Sequence, residues 1–221
     1  MAGLVKAEAY DEMIVNICPN GTSGEVINID GLYIQLPEQP PHEQILYHEL
    51  PQEQQRWERH EPSNELIRLK SMDDWAQSPK EFRAKHSAYI SEEYRRRKEG
   101  LWFYNNGTPT YITGSHYMLL QWTKIDASFY GYYLDFQRKL FIHAQACEID
   151  PRSVGQLFVK CRRSGYTNIA VSKLLTEGTL VKDKVLGVMS KTGKDAQDNI
   201  FMKKVVGMYR HYPFFFKPIQ D

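Results

Sequence analysis

From about residue 156 onward the chain alternates strand-forming with helix-forming stretches, and no other feature restricts its fold as tightly. Gln156-Leu157-Phe158-Val159-Lys160 is a short apolar run, residues 167–175 carry helical spacing, Val185-Leu186-Gly187-Val188-Met189 is a second apolar run, and residues 196–210 read as another helix. Such alternation carries each strand across a helix to a parallel neighbour, which predicts an α/β fold with a parallel sheet and crossover helices.

The preceding residues follow a different plan. Met13-Ile14-Val15-Asn16-Ile17 and Glu25-Val26-Ile27-Asn28-Ile29 are extended runs separated by Pro19-Asn20-Gly21 and Ser23-Gly24, which predicts a small β-hairpin or strand pair. Pro37, Pro40 and Pro41 break that pattern, and the Glu/Gln-rich residues 42–77, with scattered leucines and Trp57 and Trp75, predict loosely specified helix. The clearest helix spans 79–99: Ser78 is its expected N-cap, Pro79 enters the first turn, Glu81 completes a capping box and Gly100 ends it. Phe82, Tyr89, Ile90 and Tyr94 recur at helical spacing and predict its buried stripe, while Arg95-Arg96-Arg97-Lys98 crowd the negative end of its dipole. That basic run is either a solvated helix end or a phosphate contact. Next, Asn106-Gly107 between two aromatic-rich extended pieces predicts a hairpin, followed by helices at 115–123 and 133–147, the latter closed by Asp150-Pro151.

Bulk composition excludes more than it identifies. Lys plus Arg at 28 against Asp plus Glu at 27 give a net charge of +1, so a nucleic-acid surface must come from local clustering. Cys18, Cys147 and Cys161 are odd in number and far apart, which argues against a disulfide framework or zinc site and fits a reducing, cytoplasmic compartment. No apolar run reaches the roughly 18 residues a membrane span needs.

Chemistry concentrates where the first apolar run feeds its helix, in Lys160-Cys161-Arg162-Arg163-Ser164-Gly165-Tyr166-Thr167. A bound polyphosphate needs converging backbone N–H groups, a helix N-terminus, a cation for the transferring phosphoryl group and a hydroxyl for Mg²⁺. Gly165 permits the close approach, Thr167 stands where the Mg²⁺ hydroxyl belongs, and Lys160, Arg162 and Arg163 supply cations. The common phosphate-loop pattern is broken twice: Lys160 replaces its first glycine and Tyr166 its lysine. On the pattern alone, a basic turn that binds nothing is an equal reading.

The deviation itself resembles the phosphate loop of lambda-type large terminases, in which a lysine at the start of the loop substitutes for the usual one and a Gly-Tyr-Ser/Thr follows; Lys160, Gly165, Tyr166 and Thr167 match that arrangement. Upstream, Leu101-Trp102-Phe103-Tyr104-Asn105-Asn106-Gly107, Pro109-Thr110-Tyr111-Ile112-Thr113-Gly114-Ser115-His116-Tyr117 and Gln121-Trp122 resemble the segment before that loop in terminases of crAss-like phages of Bacteroidetes. Downstream, residues 187–196 and Pro213-Phe214-Phe215-Phe216-Lys217-Pro218 resemble the second strand, its loop and the end of the next helix. The resemblance covers about residues 98–218, in three blocks in the expected order.

It implies an incomplete P-loop NTPase-like parallel sheet over residues 98–221, preceded at 1–97 by a mostly helical arm with a small β-hairpin. It also implies ATP and Mg²⁺ as ligands, double-stranded viral DNA, a portal protein and a small terminase subunit as partners, and the host cytoplasm as the setting. Tyr117 and Gln121, one helical turn apart, would contact the nucleobase; a core tyrosine and a helix-capping glutamine are the other reading. His116 reads as a structural histidine, and Lys191 and Lys194 as phosphate or DNA contacts or solvated loop lysines. Hydrolysis by such a motor needs an apolar strand ending in an acid pair, and no such strand follows Thr167, nor does a carboxylate-rich nuclease region. The expectation is nucleotide binding without turnover by a split-gene product, a truncated open reading frame or a fragment, the remainder of a split terminase chain being a further partner in the first case. A function of a different class, a non-catalytic nucleic-acid-binding or virion assembly protein, would use Arg95 to Lys98 with Arg162 and Arg163.

Overall fold

The computed structural model describes residues 14–19, 21–160 and 164–218. The fold is mixed α/β, with three small sheets of three, two and two strands among the described residues. Its residues divide into two compact units, each drawn from three stretches of chain. The first unit takes the described residues through Arg56, then Leu101–Thr113 and Leu134–Val159; the second takes Trp57–Gly100, Gly114–Tyr133 and the described residues from Lys160.

In the first unit, β1 (Ile14–Asn16), β2 (Ser23–Ile29) and β3 (Leu32–Pro37) form a sheet in the order β1-β3-β2. The expected pairing of the first two runs is not found. β2 instead folds back on β3 through Asp30-Gly31, both at positive φ (50° and 89°), a two-residue turn whose twist suits an antiparallel hairpin. With that edge of β3 taken, β1 pairs in parallel with the other, Ile14 opposite Tyr33 and Asn16 opposite Gln35. Met13 and Asn20 of the expected strand pair lie outside the described residues. The Asn106-Gly107 hairpin forms as read, joining β4 (Leu101–Asn105) to β5 (Thr108–Ile112). Residues 42–77 depart from the helical expectation. They form 3-10 turns at His42–Gln44 and Gln52–Gln54 and short helices at Asn64–Ile67 and Met72–Gln77, because Pro41, Pro51 and Pro62 interrupt any longer run. Leu46 is drawn to β4, donating to Trp102 O at 3.2 Å and accepting from Tyr104 N at 2.9 Å. The helix Asp135–Ile149 supplies Ile142 and Ala146 to an apolar core with Val15, Ile17, Ile34, Leu36, Ile45, Trp102 and Tyr111. Full burial of a side chain such as Ile34 contributes about 1.5–3 kcal/mol.

The second unit is organised by the helix Lys80–Glu99. Ser78 does not cap it: Pro79 occupies the N-cap with no side-chain bond, while Ser78 ends the preceding helix and donates its hydroxyl to Asp74 O at 2.7 Å. The reciprocal capping box sits one helix earlier, between Ser71 and Asp74. Gly100 ends the long helix at φ 77°, as expected. Its buried face is not the expected aromatic stripe. His86, Glu93 and Arg97 are buried, whereas Tyr94 is 42% exposed and reaches Phe215 O through its hydroxyl. The helix Gly114–Gln121 packs so close to the end of the long helix that a Cβ on Gly114 would lie 1.9 Å from Arg97 O. The helix Tyr166–Leu180 packs beside Gly114–Gln121. The last helix begins at Gly193–Asp195, adopts π geometry over Ala196–Val206 and returns to α over Gly207–Arg210.

The two runs expected as parallel strands form no strand and pair with none among the described residues. Leu157 and Val159 are 92% and 97% exposed, and Val185 and Met189 are each 94% exposed. All-parallel sheets are ordinarily covered on both faces, and no strand among the described residues pairs with either run. The only parallel pairing among them is β1 with β3.

Candidate functional site

The helix Tyr166–Leu180 is entered through Gly165 in the left-handed region (φ 75°, ψ 0°), a conformation that glycine adopts without a Cβ penalty. Its N-terminus has no side-chain cap and its first turn no acidic residue. The positive end of this helix dipole is therefore not neutralised by its own first turn, which favours an anion. Tyr166 and Thr167 are half-buried in that turn, and burial pushes the Tyr166 phenol up from its ordinary pKa. Lys160 is exposed, while Arg162 and Arg163 lie outside the described residues. The structure thus gathers Gly165, Tyr166 and Thr167 at one helix start, with Lys160 upstream.

One cation at this turn was not singled out from sequence. Lys204 Nζ donates to Asn168 Oδ1 at 2.6 Å and lies 3.4 Å from Asp126 Oδ1. It comes from the last helix, 36 residues from Asn168, so no local motif could reveal it. Lys191 and Lys194 are exposed around the Thr192-capped turn at Gly193–Asp195.

Tyr117 and Gln121 share a helix face as their spacing requires, and it is the buried face; both are 0% exposed. Tyr117 donates its hydroxyl to Glu93 Oε2 at 2.5 Å, and burial followed by the Glu93 charge raises its pKa. Gln121 Nε2 donates to His60 O at 2.5 Å, and its Oε1 accepts from His60 N at 3.3 Å. Neither presents a surface to a nucleobase in this conformation. Their core reading accounts for both, although Gln121 ties down a loop instead of capping a helix. His116 is buried and stacked on Tyr133 with ring centroids 5.7 Å apart, in keeping with a structural histidine.

At the centre of this unit is a carboxylate that the sequence did not advertise. Glu93 is fully buried and accepts from Tyr117, from Trp122 Nε1 at 2.8 Å and from Arg96 Nη1 at 3.4 Å, with His60 Nε2 also at 3.4 Å. One turn later, buried Arg97 donates to Thr176 O at 2.7 Å and to Thr179 Oγ1, and its guanidinium lies 4.8 Å from the Phe216 ring centroid. Burial holds the Arg97 pKa below its usual value. These placements bear on the basic run as a phosphate surface. Arg95 and Arg96 are each 2.8 Å from Glu92, Arg97 is buried, and within 95–98 only Lys98 is left exposed without a described carboxylate partner.

No group of three or more His, Cys, Asp or Glu side chains among the described residues can hold a metal. A Mg²⁺ that arrives with phosphate oxygens and water as its other ligands would need only one protein hydroxyl, and Thr167 in the first turn of Tyr166–Leu180 carries one. Among the described residues, no helix is long and apolar enough to cross a membrane. No protein-family model, curated protein or solved structure matches this chain.

Proposed function

We propose that the chain is the N-terminal, ATP-binding portion of a viral large terminase, the motor that drives double-stranded DNA into a prohead in the host cytoplasm. The observation that carries this reading is the uncapped, acid-free helix start at Gly165-Tyr166-Thr167, lying within three resembling blocks of sequence. Lys160 supplies the cation for the β and γ phosphates, with Arg162 and Arg163 as further phosphate contacts. Backbone N–H groups of the turn cradle the anion, and Thr167 holds Mg²⁺. Nucleobase contact is not assigned to Tyr117 and Gln121, whose polar ends are committed to Glu93 and His60.

The same reading treats 156–160 and 185–189 as strands of a P-loop-type parallel sheet whose neighbours come from another polypeptide segment. Support comes from the second run, where half-buried Leu186 and Val188 alternate with exposed Val185 and Met189, the period of a strand covered on one face. The other segment would also bring the acid pair that polarises water, with the portal and small terminase subunit as further partners. The test is equilibrium binding of Mg·ATP and steady-state turnover by the purified chain. Weak, Mg²⁺-dependent binding with background turnover is expected, and robust turnover contradicts the assignment.

A further inference from the structure

A second concave site lies in the same unit and shares no residue with the phosphate loop. It is a cleft of about 290 Å³, lined at its rim by Lys70, Arg210, His211 and Lys217 and along its wall by Trp122 and Tyr130. Arg59 also borders it but is already committed: its guanidinium pairs with Glu61, donates through Nε to Gln121 O at 2.9 Å and lies 3.8 Å from the Tyr130 ring centroid. Among the described residues Glu61 is the only carboxylate lining the cleft, and Arg59 pairs with it. Asp73 borders the adjoining hollow with Lys70 and Lys217 but forms an ion pair with neither.

Cations converge here with few anions to meet them: the Asp74 carboxylate accepts from Lys70 N at 2.8 Å and feels the Lys70 charge, but forms no ion pair with its ammonium. Lys173 and Lys204, half-buried elsewhere in this unit, rest on Glu177 and Asp126. Lys217 is equally half-buried, yet among the described residues no carboxylate lies within ion-pair reach of it, of Lys70 or of Arg210. Its ammonium instead donates to Arg210 O at 3.3 Å. Burial and then the neighbouring Lys70 charge hold the Lys217 pKa below its usual value, and burial, Lys124 and Lys217 do the same to His211. The rim is therefore a field of mutually repelling charges over an apolar floor of buried Leu66, Tyr212 and Phe215. A bound anion relieves that repulsion.

We propose that this cleft binds the phosphate group of a nucleotide-sized small molecule, through Lys70, Arg210 and Lys217, with the apolar part of the ligand against Trp122 and Tyr130. The concave shape and aromatic lining favour a small molecule over the convex backbone of a nucleic-acid duplex. The proposal does not rest on the phosphate-loop reading.

The experiment is calorimetric titration of the full chain with 5′-AMP and, separately, inorganic phosphate. AMP should bind more tightly than phosphate and compete with it. Lys217→Gln and the exposed-site change Lys70→Glu should each weaken AMP by at least about tenfold, with unfolding midpoints unchanged, whereas Lys160→Ala should leave AMP binding intact. The proposal is overturned by absence of saturable AMP binding below about 10 mM, by unchanged affinity in folded Lys70→Glu, or by a loss confined to Lys160→Ala. Displacement of AMP by duplex DNA at lower concentration than by phosphate also overturns it and assigns the cleft to nucleic acid.

Discussion

Around Ile34 the chain buries Val15, Leu36, Ile45, Ile142 and Ala146 in apolar contact, while around Glu93 it buries a carboxylate, a phenol, an indole N–H and, one turn away, a guanidinium. The first core is held by contacts without direction, so any apolar set of the right volume serves it. The second is held by bonds with direction, and each member is stable there only while its partners remain. A helix face of His86, Glu93 and Arg97 is thus affordable in one unit and has no counterpart in the apolar cluster of the other.

The largest expected effect comes from breaking the polar core at its hub. Glu93→Ala leaves Tyr117 and Trp122 without their acceptor and should cost about 3–5 kcal/mol, while Glu93→Gln, which keeps one acceptor oxygen, should cost less. Urea unfolding of the two variants checks this, and a loss below about 1 kcal/mol for Glu93→Ala would show that the network is not what holds this unit. In the apolar core, Ile34→Ala should cost about 2–4 kcal/mol and Ile34→Val about 1 kcal/mol. Equal losses for the two would show that the site is not packed as tightly as its 0% exposure indicates.

The smallest effect is a pH dependence. Burial pushes the Glu177 carboxyl up, but the Lys173 and Lys184 ammoniums, the latter at 2.6 Å, more than offset it and hold the pKa below the usual range. A depressed carboxylate pKa contributes stability in full above its unfolded value, near about 4.3, and loses it as pH falls through the folded value. The difference in melting temperature between wild type and Glu177→Gln should therefore be largest near neutrality and shrink toward zero as the pH falls through and below the folded value. A difference that persists in acid would contradict the ion-pair origin.

The same contrast separates what was legible in the sequence from what was not. Local signals were readable: Asn106-Gly107 makes its hairpin, Gly100 stops its helix, and helices form at Gly114–Gln121, Asp135–Ile149 and Tyr166–Leu180. The Asp30-Gly31 turn carried a signal just as local, and weighing it would have paired β2 with β3. Strand partnership across the chain was not readable, because an apolar run at 156–160 or 185–189 states a capacity to pair without naming a neighbour. Likewise, helical spacing put Tyr117 and Gln121 on one face but could not say that the face points at Glu93 and His60. Apolar periodicity overlooked Glu93 and Arg97 because a buried charge is identified by its partners, and these are Trp122, Tyr117 and Thr176, distant in sequence.

The most direct test of the phosphate-loop assignment compares Lys160→Ala, Tyr166→Lys and the double mutant for Mg·ATP affinity in the isolated chain, and for turnover once the complementing segment is present. In this assignment Lys160 would act from before the loop, whereas a lysine at position 166 starts from the helix N-terminus, so each would need its own path to the phosphates. Lys160→Ala should weaken Mg·ATP by about 2 kcal/mol or more, and Tyr166→Lys should not restore it. Wild-type affinity in Lys160→Ala would return the segment to an ordinary basic turn and contradict the ATP-binding assignment.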